Sequence, residues 1–221
     1  MLITKISPQK RKGSFNIFVD YSYSFSITEE DLVKEKLKIG LELSDKRLDE
    51  LKFQGKFGLY FNKTLNFLSY RPRSEKEALD KLKEFTKKDK DVNEQVKEEL
   101  IKVVFEKVKR LGFVSDADFG KWFIEQRQLS RKPSGEFKIK RELWQKGLKK
   151  ELVEELLESG TSDEGGLALQ AAEKKLKVYQ KLEKKEFKQK MVAFLVRQGF
   201  GFDTVLSVVD TLSKEIYNAK S

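Results

Sequence analysis

Apolar and polar residues alternate along the chain only near its start. Residues 2–27 hold three short segments in which β-branched and aromatic residues recur at every second position. In the middle segment Phe15, Ile17 and Val19 would point to one side of an extended chain and their neighbours to the other, which is the period of a β-strand. Turn-forming residues around 8–13 and 20–23 separate the segments. The pattern predicts a small antiparallel sheet.

Two short helices are expected after this sheet. Thr28 is followed by Asp31 in a capping-box pattern, which predicts a helix through Leu37 that Gly40 could terminate. Ser44 begins a second short helix in the same way. The sequence "QGKFG" at 54–58 is then interpreted as a turn.

The rest of the chain, from about residue 56, is predicted to be helical because glycine and proline fall only between helical stretches. Helix start signals recur there, each a small polar residue ahead of a helical stretch: Ser74, Ser115, Ser162 and Asp203. The predicted helices lie near residues 57–69, 74–88, 94–111, 116–128, 135–146, 149–159, 164–181, 183–198 and 203–216.

The helices follow a repeating pattern. When Gly147 is aligned with Gly199, each glycine follows a helix that ends in Gln and a basic residue, and each precedes a large apolar residue and a short acidic helix. The earlier stretch has the same order of helices with a longer third helix and no matching glycine. We therefore predict a mainly α fold, in which three tandem three-helix repeats form an elongated array behind a small β-containing N-terminal domain. The predicted boundaries are 1–55 for the N-terminal domain and 56–114, 115–161 and 162–221 for the repeats.

Composition removes several classes of chemistry. The chain has no cysteine and no histidine, which excludes thiolate nucleophiles, Ser-His-Asp catalysis and Cys- or His-bound zinc. An enzyme would have to work with carboxylates, lysine or tyrosine, and we expect no enzyme, no cofactor and no metal site. The first residues are too short and polar for a signal peptide, and no apolar run is long enough to span a membrane. We expect a soluble, cytoplasmic monomer.

Three short motifs have ordinary structural interpretations. The "DFG" of 118–120 lacks the other parts of a kinase site and is better explained by a helix capped at Ser115. The glycines and lysine of 54–58 lack the spacing of a phosphate-binding loop. The "DEGG" of 163–166 has too few oxygen ligands for calcium and is predicted to begin a helix.

Charge is segregated along the predicted repeats. The chain has a formal net charge of +10, which favours a polyanionic partner or an ordinary solvated surface. Residues 127–150 hold nine basic and two acidic residues, whereas 151–164 hold six acidic residues and no basic one. A further run of eight lysines occupies 174–190. Because repeats stack corresponding helices side by side, these runs could line one positive face.

Aromatic residues of the helical region could stack on nucleic-acid bases. Most of them recur at helical spacing beside Leu, Val and Ile, so we interpret them as core residues. Phe202, between Gly201 and a start signal, is the least constrained. The residues concerned are Trp122, Phe123, Phe137, Trp144, Phe187, Phe194, Phe200 and Phe202.

Four blocks of sequence resemble the RecX family of regulators of the RecA recombinase. They are "FLSYRPRSEKEALDKL" at 67–82, "GFVSDADFGKWFIEQR" at 112–127, "KIKRELWQKGL" at 138–148 and "FLVRQGF" at 194–200. They follow the family's order and spacing, and residues 16–28 resemble the β-containing extension of some members. The resemblance implies a protein that binds the RecA filament on single-stranded DNA. Such a protein suppresses the ATPase, strand-exchange and co-protease activities of RecA, and so acts in DNA repair, homologous recombination and the SOS response.

Two further functions stay open on the residues alone. The basic runs are also typical of a stand-alone nucleic-acid-binding helical repeat protein, and the scattered carboxylates leave an enzyme conceivable. In the preferred interpretation the partners are the RecA filament and its single-stranded DNA, with weak direct DNA binding and no membrane contact. The candidate contact residues are Arg71, Arg73, Arg127, Arg131, Lys132, Lys138, Lys140, Arg141 and Arg197.

Overall fold

The computed structural model describes residues 1–10, 13–160 and 163–218. The chain forms two compact units, an N-terminal unit Met1–Val114 and a C-terminal unit Ser115–Ser221. The strands are β1 (Ile3–Pro8), β2 (Ser14–Val19) and β3 (Ser22–Thr28). The helices are α1 (Glu29–Lys34), α2 (Asp45–Leu68), α3 (Glu75–Lys87), α4 (Glu94–Arg110), α5 (Asp116–Gln128), α6 (Glu136–Gln145), α7 (Lys150–Glu158), α8 (Glu164–Tyr179), α9 (Lys184–Gln198) and α10 (Phe202–Asn218).

The N-terminal strands form the predicted antiparallel sheet, in the order β1-β2-β3. Ile17 of β2 is paired with Phe25 of β3, and both side chains are buried. Asp20 and Tyr21, between β2 and β3, both have positive φ angles, as a tight two-residue hairpin turn requires. The alternation therefore predicted the three strands, the β2–β3 turn and the buried face correctly. Residues 11 and 12 of the other predicted turn lie outside the described residues.

The helix α2 corrects two predictions. It runs without a break from Asp45 to Leu68, so the "QGKFG" segment is helical and no separate helix begins at residue 57. Glycine stands at position 55 because the helix lies directly against β3: a Cβ atom there would be 2.1 Å from the carbonyl oxygen of Ser26. The glycines that predicted a turn are needed for packing instead. The predicted boundary after residue 55 falls inside this helix.

The helix α1 is shorter than predicted. It ends at Lys34 rather than near Leu37, and the turn that follows places Lys36 at a positive φ of 50°. The backbone N–H of Lys36 donates to the carbonyl oxygen of Val33, and that of Leu37 donates to Leu32. Leu37 is thereby turned into the core under the sheet.

Helices after the sheet pack in groups of three, which confirms the predicted fold class. The first group is α2, α3 and α4, the second is α5, α6 and α7, and the third is α8, α9 and α10. Each group has its own buried core, centred on Leu100 in the first, Leu143 in the second and Met191 in the third. The second and third groups together form the C-terminal unit.

Most of the predicted helix starts are confirmed. The hydroxyls of Ser74 and Ser115 accept hydrogen bonds from the backbone N–H groups of Glu77 and Asp118. Asp163 caps α8, and Ser162 lies outside the described residues. Asp203 is not a cap, because α10 already begins at Phe202.

A partly buried carboxylate holds the connection between α3 and α4 against α2. The Nζ atom of Lys56 lies 2.5 Å from Oδ2 of Asp89, and the hydroxyl of Tyr60 donates to the same oxygen at 2.6 Å. Burial acts to raise the pKa of Asp89, but the hydrogen bonds from Lys56, Tyr60 and the backbone of Asp91 outweigh it, so the pKa is lowered. Burial, followed by the hydrogen bond to Asp89 and the charges of Asp89 and Asp91, raises the pKa of Tyr60. The charged carboxylate is therefore the stabilised form.

We expect Asp89→Asn to lower the free energy of unfolding at neutral pH by about 1–3 kcal/mol, the usual effect of weakening hydrogen bonds to a partly buried charged group. Because the folded-state pKa of Asp89 lies below the unfolded value of about 3.9, its contribution is present above that value. It is lost as the pH falls through the folded-state pKa. Urea unfolding followed by circular dichroism should show the two proteins converging in acid.

Asp91→Asn is the matched control for this measurement. The Asp91 side chain is 86% exposed and lies 3.9 Å from the same Lys56 Nζ atom, so we expect a change within about 0.5 kcal/mol. A loss at Asp89→Asn that stayed constant from neutral to acid pH would contradict the assigned charge.

Candidate basic binding surface

The helix α6 carries the densest part of the basic run and exposes two aromatic rings. Ile139 and Leu143 face the core and are buried. At 100° per residue the opposite side of the helix holds Phe137, Arg141 and Trp144. Phe137 is 66% exposed and Trp144 is 43% exposed. This side of the helix therefore faces solvent.

The exposure of Phe137 and Trp144 corrects the prediction that most aromatic residues of the helical region fill the core. Phe123, Phe187, Phe194 and Phe200 are buried as expected, and Trp122 is partly buried against the core of the second group. Phe137, Trp144 and Phe202 are exposed instead. Residues Phe137 and Trp144 are seven positions apart, which keeps them on one helix face. A buried helix face would show the same spacing, so the sequence alone did not show whether these two rings are buried or exposed.

The start of α6 is held by the end of α9. The backbone N–H of Gly135 donates to the carbonyl oxygen of Gln198 at 2.9 Å, and that of Phe137 donates to Gly199 at 3.0 Å. Helix starts leave N–H groups without partners and helix ends leave carbonyls without partners. Each end satisfies the other here, and the two helix dipoles meet with opposite signs. We call this contact the α9–α6 joint.

Glycine is required on the α9 side of the joint. Gly199 has a φ of +90°, and a Cβ atom there would lie 2.4 Å from the backbone nitrogen of Lys138. The neighbouring Lys138 directs its ammonium group to the side-chain oxygen of Gln198 at 3.1 Å. Arg197, in the last turn of α9, is exposed beside the joint. Lys138 and Gln198 are thus brought together although 60 positions separate them in the sequence.

Two of the predicted contact residues have acidic partners inside the second group. Nε of Arg127 lies 2.6 Å from a carboxylate oxygen of Glu142, and its guanidinium stacks over the Phe123 ring at 4.6 Å. The Nζ atom of Lys140 lies 2.6 Å from Glu136, one helical turn earlier. These pairs reduce the charge that both residues offer to a partner.

Four predicted residues remain exposed and carry a full charge outward. Arg131 and Lys132 lie in the connection between α5 and α6, Arg141 lies on the outer face of α6, and Arg197 lies at the end of α9. Within the ranges that the structure describes, none of these four forms an ion pair. Their role in binding stays a prediction, but they are the most available members of the set.

The two arginines of the "RPR" sequence lie in the N-terminal unit and make internal contacts. Arg71 forms two hydrogen bonds with Glu77, at 3.2 and 3.0 Å. The guanidinium of Arg73 stacks 4.1 Å above the Phe67 ring, and its Nε is buried without a hydrogen-bond partner among the described residues. Burial, followed by the charge of Arg71, lowers the pKa of Arg73. Both side chains thus help to hold α3 against the end of α2.

Acidic residues follow the basic helix at once. The short helix α7 exposes Glu151, Glu155 and Glu158, and it packs against both α5 and α6. One small group of helices therefore presents a positive and a negative side. Among the described residues, no cluster of acidic side chains could hold a metal ion, and no helix is long and apolar enough to span a membrane.

Comparison with known proteins identifies the family. Residues 1–44 match the regulatory protein RecX N-terminal domain, and residues 163–209 match the third three-helix domain of RecX. Regulatory protein RecX of Bacillus subtilis is 35% identical over 218 residues, which cover 96% of this chain and 78% of the relative. This chain belongs to the RecX family. RecX of Bacillus licheniformis is 36% identical with the same coverage of both chains, 96% and 78%.

Solved RecX structures share the fold. A crystal structure of regulatory protein RecX matches with a TM-score of 0.69 and 26% identity, covering 95% of this chain and 98% of that one. RecX from Lactobacillus salivarius matches with a TM-score of 0.58 and 23% identity, over 71% of this chain and 96% of that one. The family expected from the four sequence blocks is therefore confirmed, and the relatives' shared name supports a regulatory role.

The α9–α6 joint can be tested with two glycine substitutions. Gly199→Ala introduces a side chain at positive φ and places it against the backbone of Lys138. Gly112→Ala meets nothing within 4 Å at a similar φ of +75°, so it carries only the conformational cost of about 1–2 kcal/mol. We expect Gly199→Ala to lower the free energy of unfolding by more than Gly112→Ala does.

Hydrogen exchange then locates the effect. We expect the amides of residues 135–139 to exchange faster in Gly199→Ala and at the original rate in Gly112→Ala, because only the first opens the joint. Equal exchange at these amides in both variants would show that the joint does not hold the start of α6.

Proposed function

We propose that this RecX-family protein is a regulator without catalytic activity that binds the RecA filament on single-stranded DNA. It acts in the cytoplasm and mainly inhibits the ATPase, strand-exchange and co-protease activities of RecA. The observation that carries the proposal is the match to regulatory protein RecX along nearly the whole chain, at 35% identity. A nucleoprotein filament is long, repetitive and anionic, which suits a chain of helical groups with a net charge of +10.

The charge pattern of the second helix group supports this assignment. Arg131, Lys132 and Arg141 present positive charge, whereas α7 presents carboxylates. A surface with both signs suits a partner that combines protein and DNA better than it suits DNA alone, since phosphates would repel α7. Several weak contacts on successive protomers would add up through effective concentration.

The proposal is tested with the cognate RecA on single-stranded DNA. We expect the protein to lower DNA-stimulated ATP hydrolysis and to shorten the filaments seen by electron microscopy. Unchanged hydrolysis together with unchanged filament length would refute the proposal.

Charge reversal tests which surface is used. We expect Lys138→Glu, Lys140→Glu and Arg141→Glu together to weaken inhibition of RecA more than reversal of three N-terminal lysines does. Suitable control positions are Lys34, Lys38 and Lys46, which are exposed. Equal losses in the two triple variants would place the contact elsewhere.

A second reversal separates binding from folding. Lys138 and Lys140 have internal partners in Gln198 and Glu136, so their reversal also disturbs the C-terminal unit. Arg131→Glu, Lys132→Glu and Arg141→Glu change charge without breaking an ion pair in the described structure. If charge is the cause, this variant should lose inhibition while its thermal unfolding stays unchanged.

A stand-alone nucleic-acid-binding protein is the alternative, favoured by the exposed aromatic rings between basic residues on α6. It predicts binding to free nucleic acid with no effect on RecA. If about six phosphates were contacted, the affinity would fall roughly 10³-fold between about 50 and 200 mM salt. Such salt dependence without any change in RecA activity would favour the alternative.

A further inference from the structure

The outer face of α6 has an arrangement that folding does not explain. Phe137, Arg141 and Trp144 form a strip at positions i, i+4 and i+7, with both rings in solvent. Exposed rings gain nothing from the core, since the inner face of the same helix is already filled by Ile139 and Leu143. We call these three residues the α6 strip.

Exposed basic residues lie near the rings of the strip, whereas Glu136 and Glu142 of the same helix are paired with Lys140 and Arg127. Arg141 lies between the two rings on the helix, and Arg131 and Lys132 precede the helix in an exposed connection. Beyond Trp144 the exposed Lys149 and Lys150 continue the series. A partner that covers the rings must therefore be anionic along its length and offer flat apolar surfaces between its charges. Single-stranded nucleic acid has this chemistry, with phosphates outside and bases free to stack.

We infer that the α6 strip stacks on bases of single-stranded nucleic acid, with Phe137 and Trp144 against base faces and Arg141 on the backbone between them. Seven helical residues rise about 10 Å along the helix axis, so the two rings lie about two turns apart and contact different bases of one strand. The contact carries no sequence preference, because every base has a flat face.

This inference deepens the proposed function and rests on it, because it takes the single-stranded DNA of the RecA filament as the ligand. It assigns the α6 strip to that DNA rather than to RecA itself. Aromatic rings and arginine are enriched at protein interfaces as well, whereas lysine is depleted there. The exposed Lys132, Lys149 and Lys150 near the strip therefore favour nucleic acid over a protein partner. Binding to an acidic protein surface is retained as an outcome of the test.

The test uses the full-length protein with Trp122→Phe, so that Trp144 is the single remaining tryptophan of two. It is titrated with a dT oligonucleotide and with an abasic oligonucleotide of the same length and charge, at low salt. We expect quenching of Trp144 emission by the dT strand alone, and an affinity for dT at least about fivefold above that for the abasic strand.

Variants of the α6 strip test whether the two rings cause the preference for the dT strand over the abasic strand. We expect Phe137→Ala with Trp144→Ala, followed by fluorescence anisotropy of a labelled strand, to lower dT affinity about fivefold or more. The affinity for the abasic strand should stay within about twofold. Phe137→Leu with Trp144→Leu keeps apolar surface but removes the flat rings, and it should lose the preference too. Tyr21→Asn removes a 90% exposed ring from the β2–β3 turn and should change neither affinity.

Three results would overturn the inference. The first is equal affinity of the unaltered protein for dT and abasic strands. The second is a dT preference that survives loss of both rings. The third is a strip variant that keeps this preference but no longer binds RecA in the absence of DNA, which would make the strip a protein-docking face.

The proposed function fails by a separate measurement. If the unaltered protein prefers dT through its rings but leaves RecA ATP hydrolysis unchanged, base stacking stands and regulation of RecA is wrong. If it inhibits RecA but does not distinguish dT from abasic strands, regulation stands and the stacking inference is wrong.

Discussion

The C-terminal unit depends on the α9–α6 joint, where one helix ends against the start of another. Four N–H groups at a helix start and four carbonyls at a helix end need partners. The start of α6 has no side-chain cap, and α9 ends at Gly199 in a left-handed conformation. Gln198 and Gly199 supply carbonyls to Gly135 and Phe137, so the second and third helix groups satisfy each other's backbone. The orientation of α6, and with it the direction of its exposed face, follows from this contact together with the packing of α6 against α5 and α7.

Close approach imposes glycine on both sides of the joint. A Cβ atom at Gly135 would lie 2.3 Å from the backbone of Gly199, and one at Gly199 would meet Lys138. The same constraint acts in the N-terminal unit, where Gly55 lets α2 lie on β3. In both places a backbone surface replaces side-chain packing, which leaves little freedom for the elements to slide. Such backbone contacts fix the positions of helices in groups whose individual cores are small.

Internal ion pairs reduce the number of basic side chains that are available to a partner. Arg71, Arg127 and Lys140 are paired with carboxylates of their own unit, and Lys138 is directed to Gln198. Exposed pairs of this kind contribute about 0–1 kcal/mol, so a phosphate could displace some of them. The positive charge of the whole run persists, and the residues that we propose as direct contacts are the exposed Arg131, Lys132, Arg141 and Arg197. Charge counts along a sequence overstate the number of cations that a partner can touch.

Sequence alone determined the features that depend on near neighbours along the chain. Alternation in residues 2–27 identified the sheet, capping at Ser74 and Ser115 identified helix starts, and four sequence blocks identified the family. Tertiary structure decided what depends on distant partners. Gly55 looked like a turn because helix propensity ignores the strand that α2 must approach, and Phe137 and Trp144 looked like core residues because helical spacing does not say which side faces solvent. Lys138 and Gln198 meet only because the end of α9 completes the backbone hydrogen bonds of α6.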